Sequence, residues 1–267
     1  MDEAVAALGE PTYTLMLRGR RVALYCCDCA SLLPIAFAVD LILTSPPYNI
    51  GKAYAASSDM RSDYFAWLRA AVDAMGARIR RHGSVWLNVG HTSDRVPIAY
   101  RLWDASARLQ LHQEVIWAFS RGVAAKHYFS PRHETLLWFS RAGEQPRFEL
   151  DRVREPHDQR TCTCGTRNGK KRCNPNGKNP GDVWHIQTVA AGAGRAAKER
   201  QPHPAQMPLE IAARIVAGCG GEGLLLLDPF CGSGTSLVAA VTHGMDAIGI
   251  DVSREYVDLC KARLEAL

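Results

Sequence analysis

Leu224-Leu225-Leu226-Leu227-Asp228-Pro229-Phe230-Cys231-Gly232-Ser233-Gly234-Thr235 is the stretch that decides the fold. Four consecutive leucines lack polar alternation, so they read as a strand buried on both faces, the pattern of a parallel sheet. Asp228-Pro229 stops the run, two glycines one residue apart follow, and residues 234–243 carry a helix pattern ended by Gly244. Residues 247–250 are the next apolar run, closed by Asp251, and Ser253 is placed to cap a final helix. Strand, glycine loop, helix and acid-ended strand make half of a doubly wound, mostly parallel α/β sheet. Glycines at such a turn let the backbone approach a ligand, and the helix start favours negative charge. A carboxylate at the next strand end can accept from two ribose hydroxyls. The Gly232-x-Gly234 spacing departs from the three-glycine dinucleotide fingerprint, which argues against a nicotinamide cofactor.

Working outward, residues 22–27 and 39–44 are two more apolar runs, ending at Asp28 and at a proline-rich loop. Residues 62–80 predict a helix capped by Ser62, with Phe65, Leu68, Val72 and Ile79 facing inward and His82-Gly83 turning the chain. Strands are expected at 84–89, 114–119 and 135–139, with Trp117 and Trp138 in the core, and a helix near 97–109. After Ser140 the periodicity fades and turn formers dominate through Gly181. Order returns at 182–186, and Pro208 suits the first turn of a helix through Ala217. No internal repeat is present. A chain of 267 residues, 47% hydrophobic, can bury a large core and fits one elaborated α/β domain with an insertion.

The first 13 residues carry Asp2, Glu3 and Glu10 and lack a basic start followed by an apolar core, so no signal peptide is expected. No apolar run approaches the roughly 20 residues of a bilayer span, which predicts a cytoplasmic protein with reduced thiols. Cys26, Cys27, Cys231 and Cys260 sit in apolar or glycine-rich patterns where they serve as small hydrophobes. The formal net charge is +5, yet residues 147–200 hold 12 Lys and Arg against 6 Asp and Glu. That segment reads either as a polyanion-binding insertion or as a solvated loop. Cys162, Cys164 and Cys173, flanked by His157 and His185, lack the paired C-x-x-C spacing of a zinc ribbon, and no metal is assigned. His91, His127 and His133 form no recognisable constellation.

Phe230-Cys231-Gly232-Ser233-Gly234 resembles the cofactor motif of S-adenosylmethionine-dependent DNA amino-methyltransferases. The resemblance implies that the stretch containing Asp228, Phe230, Cys231, Gly232, Gly234 and Thr235 holds the methionine end of the cofactor and that Asp251 holds its ribose. His203-Pro204-Ala205-Gln206-Met207-Pro208 resembles the segment that completes the methionine pocket, which brings in His203 and Gln206. Asp28 would sit near the cofactor's adenine and accept from its amino group.

Thr44-Ser45-Pro46-Pro47-Tyr48-Asn49 matches the catalytic motif of the same family. An exocyclic base amine is a poor nucleophile because its lone pair is delocalised into the ring. Two acceptors for its protons favour a pyramidal nitrogen, and the Ser45 hydroxyl and the Pro46 carbonyl are placed for that work. Pro46 and Pro47 hold the loop rigidly, and Tyr48 can stack on a base rotated out of the duplex. Serine in the first position usually accompanies cytosine N4 and aspartate adenine N6, so cytosine N4 is expected, with adenine N6 as the alternative. Catalytic loop, basic segment and cofactor loop follow in the order of the permuted β group. That order implies a catalytic half at 1–140, target recognition at 141–185 and a cofactor half at 186–267. Expected partners are double-stranded DNA and, genetically, a cognate restriction endonuclease, for a monomer or homodimer. The same chemistry on RNA or on a protein glutamine, and a non-catalytic DNA-binding module, are the competing readings. The basic insertion favours nucleic acid, Ser45 stands where a glutamine-modifying enzyme would carry Asn, and the motif residues are intact.

Overall fold

The computed structural model describes residues 1–32, 35–54, 57–120, 124–157, 165–167, 170–171, 173–189 and 199–267. Helix α1 (Asp2–Leu8) leads into the hairpin β1 (Tyr13–Leu17) and β2 (Arg20–Cys26). Its turn uses Arg18 and Gly19, both at positive φ. Short α2 (Cys29–Leu32) leads to β3 (Val39–Thr44), the small hairpin β4 (Ala53–Tyr54) and β5 (Ser57–Ser58), then α3 (Tyr64–Arg78) and β6 (Ile79–Val89). Strands β7 (Leu109–Ala118) and β8 (His133–Arg141) pair antiparallel. A second small hairpin, β9 (Thr166–Arg167) and β10 (Lys170–Lys171), precedes the short β11 (Val183–His185). The chain closes with α4 (Leu209–Cys219), β12 (Leu225–Asp228), α5 (Thr235–Thr242), β13 (Asp246–Asp251) and α6 (Arg254–Glu265).

Nine strands form one sheet in the order β1-β2-β13-β12-β3-β6-β8-β7-β11. Strands β2, β13, β12, β3 and β6 run parallel, and β1 and β8 run against them. The expected doubly wound, mostly parallel sheet is therefore present. Both faces are buried, which is why the strands read as unbroken apolar runs. Ala23, Ile42, Val85, Leu227 and Ile248 pack on one face with Leu68, Val72 and Met75 of α3. Val22, Leu41, Trp86, Leu226 and Ala247 pack on the other with Ile211, Leu237 and Val257 of α4, α5 and α6.

Two adjacent strands thus send their helices to opposite faces: β12 continues into α5 on one side, and β3 into α3 on the other. A crevice opens between their carboxyl ends, the position where open α/β sheets bind ligands. Thr44 closes β3 and Asp228 closes β12, and the Thr44 hydroxyl donates to the Asp228 carboxylate at 2.6 Å across that switch point.

The structure corrects three local expectations. Helix α3 begins after Asp63 rather than at Ser62, and Ile79 already belongs to β6, so His82-Gly83 lies inside a strand instead of turning the chain. Glycine is needed there because a Cβ on Gly83 would stand 2.6 Å from the Asp40 carbonyl, beside the irregularity between Val39 and Leu41. In place of a helix near 97–109 there is a single 3-10 turn, Ile98–Arg101, and Leu109 already opens β7. Polar side chains tie the rest of that segment to α3: Ser106 donates to Asp73 at 2.6 Å and Arg69 to Asp104 at 2.8 Å. Trp117 and Trp138 are core residues as expected, with Trp138 stacked on Trp86 at 4.9 Å between centroids.

Candidate active site

The carboxyl ends of β2, β13, β12 and β3 meet around one cleft. It is lined by Asp28, Ser45, Pro46, Pro47, Tyr48, His203, Phe230, Gly232 and Asp251, all anticipated from the sequence. Five other anticipated residues, Gln206, Asp228, Cys231, Gly234 and Thr235, stand behind its walls rather than in it.

Asp228 is turned inward and buried, accepting from Thr44, from the Ser236 hydroxyl and from the Phe230 N–H at 3.0 Å. Burial pushes its carboxyl up to about 6 against these donors. Cys231 is buried and its N–H donates to Ile250, fastening the loop to β13. Gly234 takes the left-handed conformation at φ 76°, and a Cβ there would fall 2.4 Å from the Cys260 sulfur of α6. Glycine is needed on both counts. Thr235 accepts from Arg263 at 2.9 Å, and Gln206 braces its own loop by accepting from the Gln201 N–H and donating to the Glu199 carbonyl.

Asp251 faces the cleft with its orientation fixed. One carboxylate oxygen accepts from the Gly232 N–H and the other from the Ser253 N–H, each at 2.9 Å. Each oxygen keeps lone-pair capacity for a ligand hydroxyl. Burial raises its carboxyl above the ordinary range, and the two N–H groups oppose that rise. Across the loop, His203 closes the pocket wall, and a Cβ on Gly232 would lie 2.8 Å from its Nε2. The His203 Nδ1 accepts from the Ala205 N–H at 3.2 Å, so the neutral ring carries its proton on Nε2. Burial holds the imidazole down to about 4, and it stays neutral at physiological pH. Tyr256 packs edge-on at 4.5 Å and Tyr54 lies 6.1 Å away. These residues fit an adenosyl amino-acid cofactor: a carboxylate for ribose hydroxyls, a glycine cradle for a close backbone approach, and aromatic walls.

The Ser45–Asn49 loop is held from below. Asn49 takes the left-handed conformation at φ 60°, and its side chain accepts from the Arg61 N–H at 2.6 Å. Buried Asp59 accepts from the Ile50 and Lys52 N–H groups, folding the segment after the loop back beside the cleft. Tyr64 donates to the Pro47 carbonyl at 2.8 Å.

Beneath Ser45 and Tyr48 lies a network that was not read from the sequence. The Tyr48 hydroxyl is 3.1 Å from the Ser45 hydroxyl and donates to Glu134 at 2.9 Å. The Asn88 amide donates to Tyr48 at 3.0 Å and to Glu134 at 2.9 Å. Burial raises the Glu134 carboxyl, and burial beside that carboxylate raises the Tyr48 phenol well above its ordinary value. The Tyr48 ring lies on Gly90, where a Cβ would come within 3.0 Å of it. The one available signal was the polar Asn88 inside the apolar run 85–89; Glu134 begins an ordinary strand pattern. Cys29, beside Asp28 in the cleft, is pushed up to about 12 by burial and remains a thiol. Cys162 and Cys164 lie outside the described residues, while the His157 ring nitrogen meets the Asn174 carbonyl at 3.0 Å. Among the described residues no group of three metal-ligating side chains comes together, and no helix is long and apolar enough to cross a membrane.

Comparison with known proteins bears directly on this geometry. A family model described as DNA methylase matches residues 39–262. The chain is 39% identical over 267 residues to the Type II methyltransferase M.ScaI of Streptomyces caespitosus, covering 97% of this chain and 85% of that one. It is 27% identical to the DNA adenine methyltransferase YhdJ of Escherichia coli (strain K12), covering 86% of this chain and 77% of that one. Its fold is similar to that of the cytosine-N4-specific PvuII DNA methyltransferase, with a TM-score of 0.70, 18% identity, and 95% of this chain and 88% of that one covered. By the family model over residues 39–262 and the 39% identity to a Type II methyltransferase, the chain belongs to the N6/N4 amino-methyltransferase family of DNA methylases.

Proposed function

We propose that this DNA methyltransferase transfers the methyl group of S-adenosylmethionine to the N4 amine of cytosine within a specific duplex sequence. The observation that carries the reading is Ser45, a hydroxyl rather than a carboxylate, at the head of the Pro-Pro-Tyr loop, one residue beyond the strand end that meets Asp228. S-Adenosylmethionine is the methyl donor of the family, and bound in this cleft it supplies an electrophilic methyl group. Asp251 accepts from the ribose hydroxyls, the loop around Gly232 admits the methionine end against neutral His203, and Asp28 accepts from the adenine amino group. The Ser45 hydroxyl and the Pro46 carbonyl accept from the two amine protons, holding the lone pair toward the methyl carbon. Tyr48 stacks on the extruded base, with its hydroxyl anchored on Glu134. Catalysis then rests on positioning and on oriented acceptors. Transfer is direct, since the loop Ser45–Asn49 holds no cysteine and an amine needs no covalent activation of the ring, and the surplus amine proton passes to solvent.

Similarity to a Type II methyltransferase supports pairing with a restriction endonuclease, and similarity to an adenine methyltransferase supports adenine N6 as the second reading. Nucleoside mass spectrometry of DNA incubated with the protein and the cofactor separates the two. N4-Methylcytosine is the expected product; N6-methyladenine alone would overturn the cytosine assignment.

A further inference from the structure

The loop between β7 and β8 carries a side chain that the fold leaves without a role. Phe129 is 101% exposed and its neighbour Tyr128 is 51% exposed, in a protein whose other rings are mostly packed. The Ser130 hydroxyl accepts from the Ala125 N–H at 2.9 Å, pinching the chain so that Lys126, His127, Tyr128 and Phe129 form its exposed tip. At its base the Phe119 N–H donates to the Arg132 carbonyl at 2.9 Å.

This tip is joined to the catalytic loop from two sides. The Arg95 guanidinium lies over the Tyr128 ring at 4.6 Å, and two residues earlier the Ser93 N–H donates to the Asn49 carbonyl at 3.2 Å. On the other side the loop runs through His133 into Glu134, the residue that anchors the Tyr48 hydroxyl. Residues 124–132 contain Lys126 and Arg132 and no acidic residue. A bare apolar ring rimmed by cations, beside the pocket for an extruded base, matches a base stack rimmed by phosphates.

We infer that the β7–β8 loop docks on duplex DNA and that Phe129 wedges between base pairs at the step from which the target base leaves. The inference rests on the base-methyltransferase reading above. The ring fills the gap in the stack and offsets part of the unstacking cost of extrusion, while Lys126 and Arg95 meet the flanking phosphates. Because Phe129 is held by no packing, its removal leaves the fold intact.

The test compares the full-length protein with Phe129→Ala and Phe129→Trp on two duplexes of a sequence that the wild type methylates. In one the target is normally paired; in the other it faces an abasic site and is already loosened. Phe129→Ala should lower kcat/KM on the paired duplex by about tenfold, the scale of a partial unstacking cost. The abasic duplex should bring it within about twofold of wild type, Phe129→Trp should stay active, and cofactor affinity should not change. Equal losses on both duplexes, or no loss on either, would overturn the wedge. An active wild type with an indifferent Phe129→Ala counts against the wedge alone, whereas failure of the wild type to methylate any DNA in the prior search for its sequence sinks the enzymatic reading as well.

Discussion

On the proposed function Tyr48 has two tasks, stacking through its ring and fixing its orientation through its hydroxyl, and the contacts around that hydroxyl serve the second. Gly90 is required by contact rather than by backbone conformation: an added methyl would press on the Tyr48 ring at 3.0 Å. Gly90→Ala should therefore cut kcat by about tenfold or more through misplacement of the ring, with cofactor Kd unchanged in a calorimetric titration. Ser45→Ala should behave in the same way. Asp251→Ala should instead weaken cofactor binding, and equal affinity loss in all three variants would show that the loops are misassigned. The raised Glu134 carboxyl adds a pH signature. Its ionised form accepts from Tyr48 and Asn88, so activity should fall as pH drops through the Glu134 pKa, which lies above the ordinary glutamate range. Glu134→Gln should remove that limb from the pH–rate profile; a limb that survives the substitution belongs to another group.

At the scale of elements, the crevice depends on how β3, β12 and α5 are tied. Three donors converge on the Asp228 carboxylate, from the end of β3, from the first turn of α5 and from the loop between. Asp228→Ala should cost about 2–4 kcal/mol in chemical denaturation, because three buried donors lose their acceptor together. The α5–α6 contact at Gly234 is equally specific. Gly234→Ala is strained by its φ of 76° and by the Cys260 sulfur at 2.4 Å. Adding Cys260→Ala should recover the steric part of that loss and not the backbone part, giving a favourable coupling in a double-mutant cycle.

Over the whole molecule, two buried groups set opposing pH dependences of stability. The His203 pKa falls from 6.5 to about 4 on folding, so between those values the unfolded chain holds the extra proton and acidification destabilises the protein. The Asp228 pKa rises from 3.8 to about 6, so in that window the folded chain holds the extra proton and acidification stabilises it. Removing one exposes the other: His203→Gln should lose less Tm than wild type between pH 7 and pH 5 in a thermal scan. Charge is also unevenly engaged across the molecule. Arg147 pairs with Glu149 at 3.1 Å and Arg154 with Asp151 at 2.5 Å, so part of the basic segment's charge is neutralised within the segment. We propose that the stretch around the β9–β10 hairpin is the part that meets phosphates. Neutralising Lys170, Lys171 and Arg172 together should flatten the salt dependence of DNA binding by up to about three phosphate equivalents. An unchanged slope would mean that these charges are only solvated.

The glycine loop, the Pro-Pro-Tyr loop and Asp251 were legible in the sequence because each is a local string whose backbone demands name its residues: positive φ, a rigid carbonyl, a strand end. The parallel sheet was legible for a similar reason, since strands buried on both faces read as unbroken apolar runs at 39–44 and 224–227. Local strings could not say that β12 and β13 insert between β2 and β3, because strand order is decided by which apolar faces meet across hundreds of residues. That insertion brings Asp228 to Thr44, 184 positions apart, and turns its carboxylate away from the cleft that its motif suggested. It was likewise the antiparallel pairing of β8 on β6 that set Glu134 beside Tyr48 and Asn88. The loops themselves were written locally; their meeting in one cleft, with a buried carboxylate beneath it, was decided by long-range packing, because only the assembled sheet could remove those groups from water together.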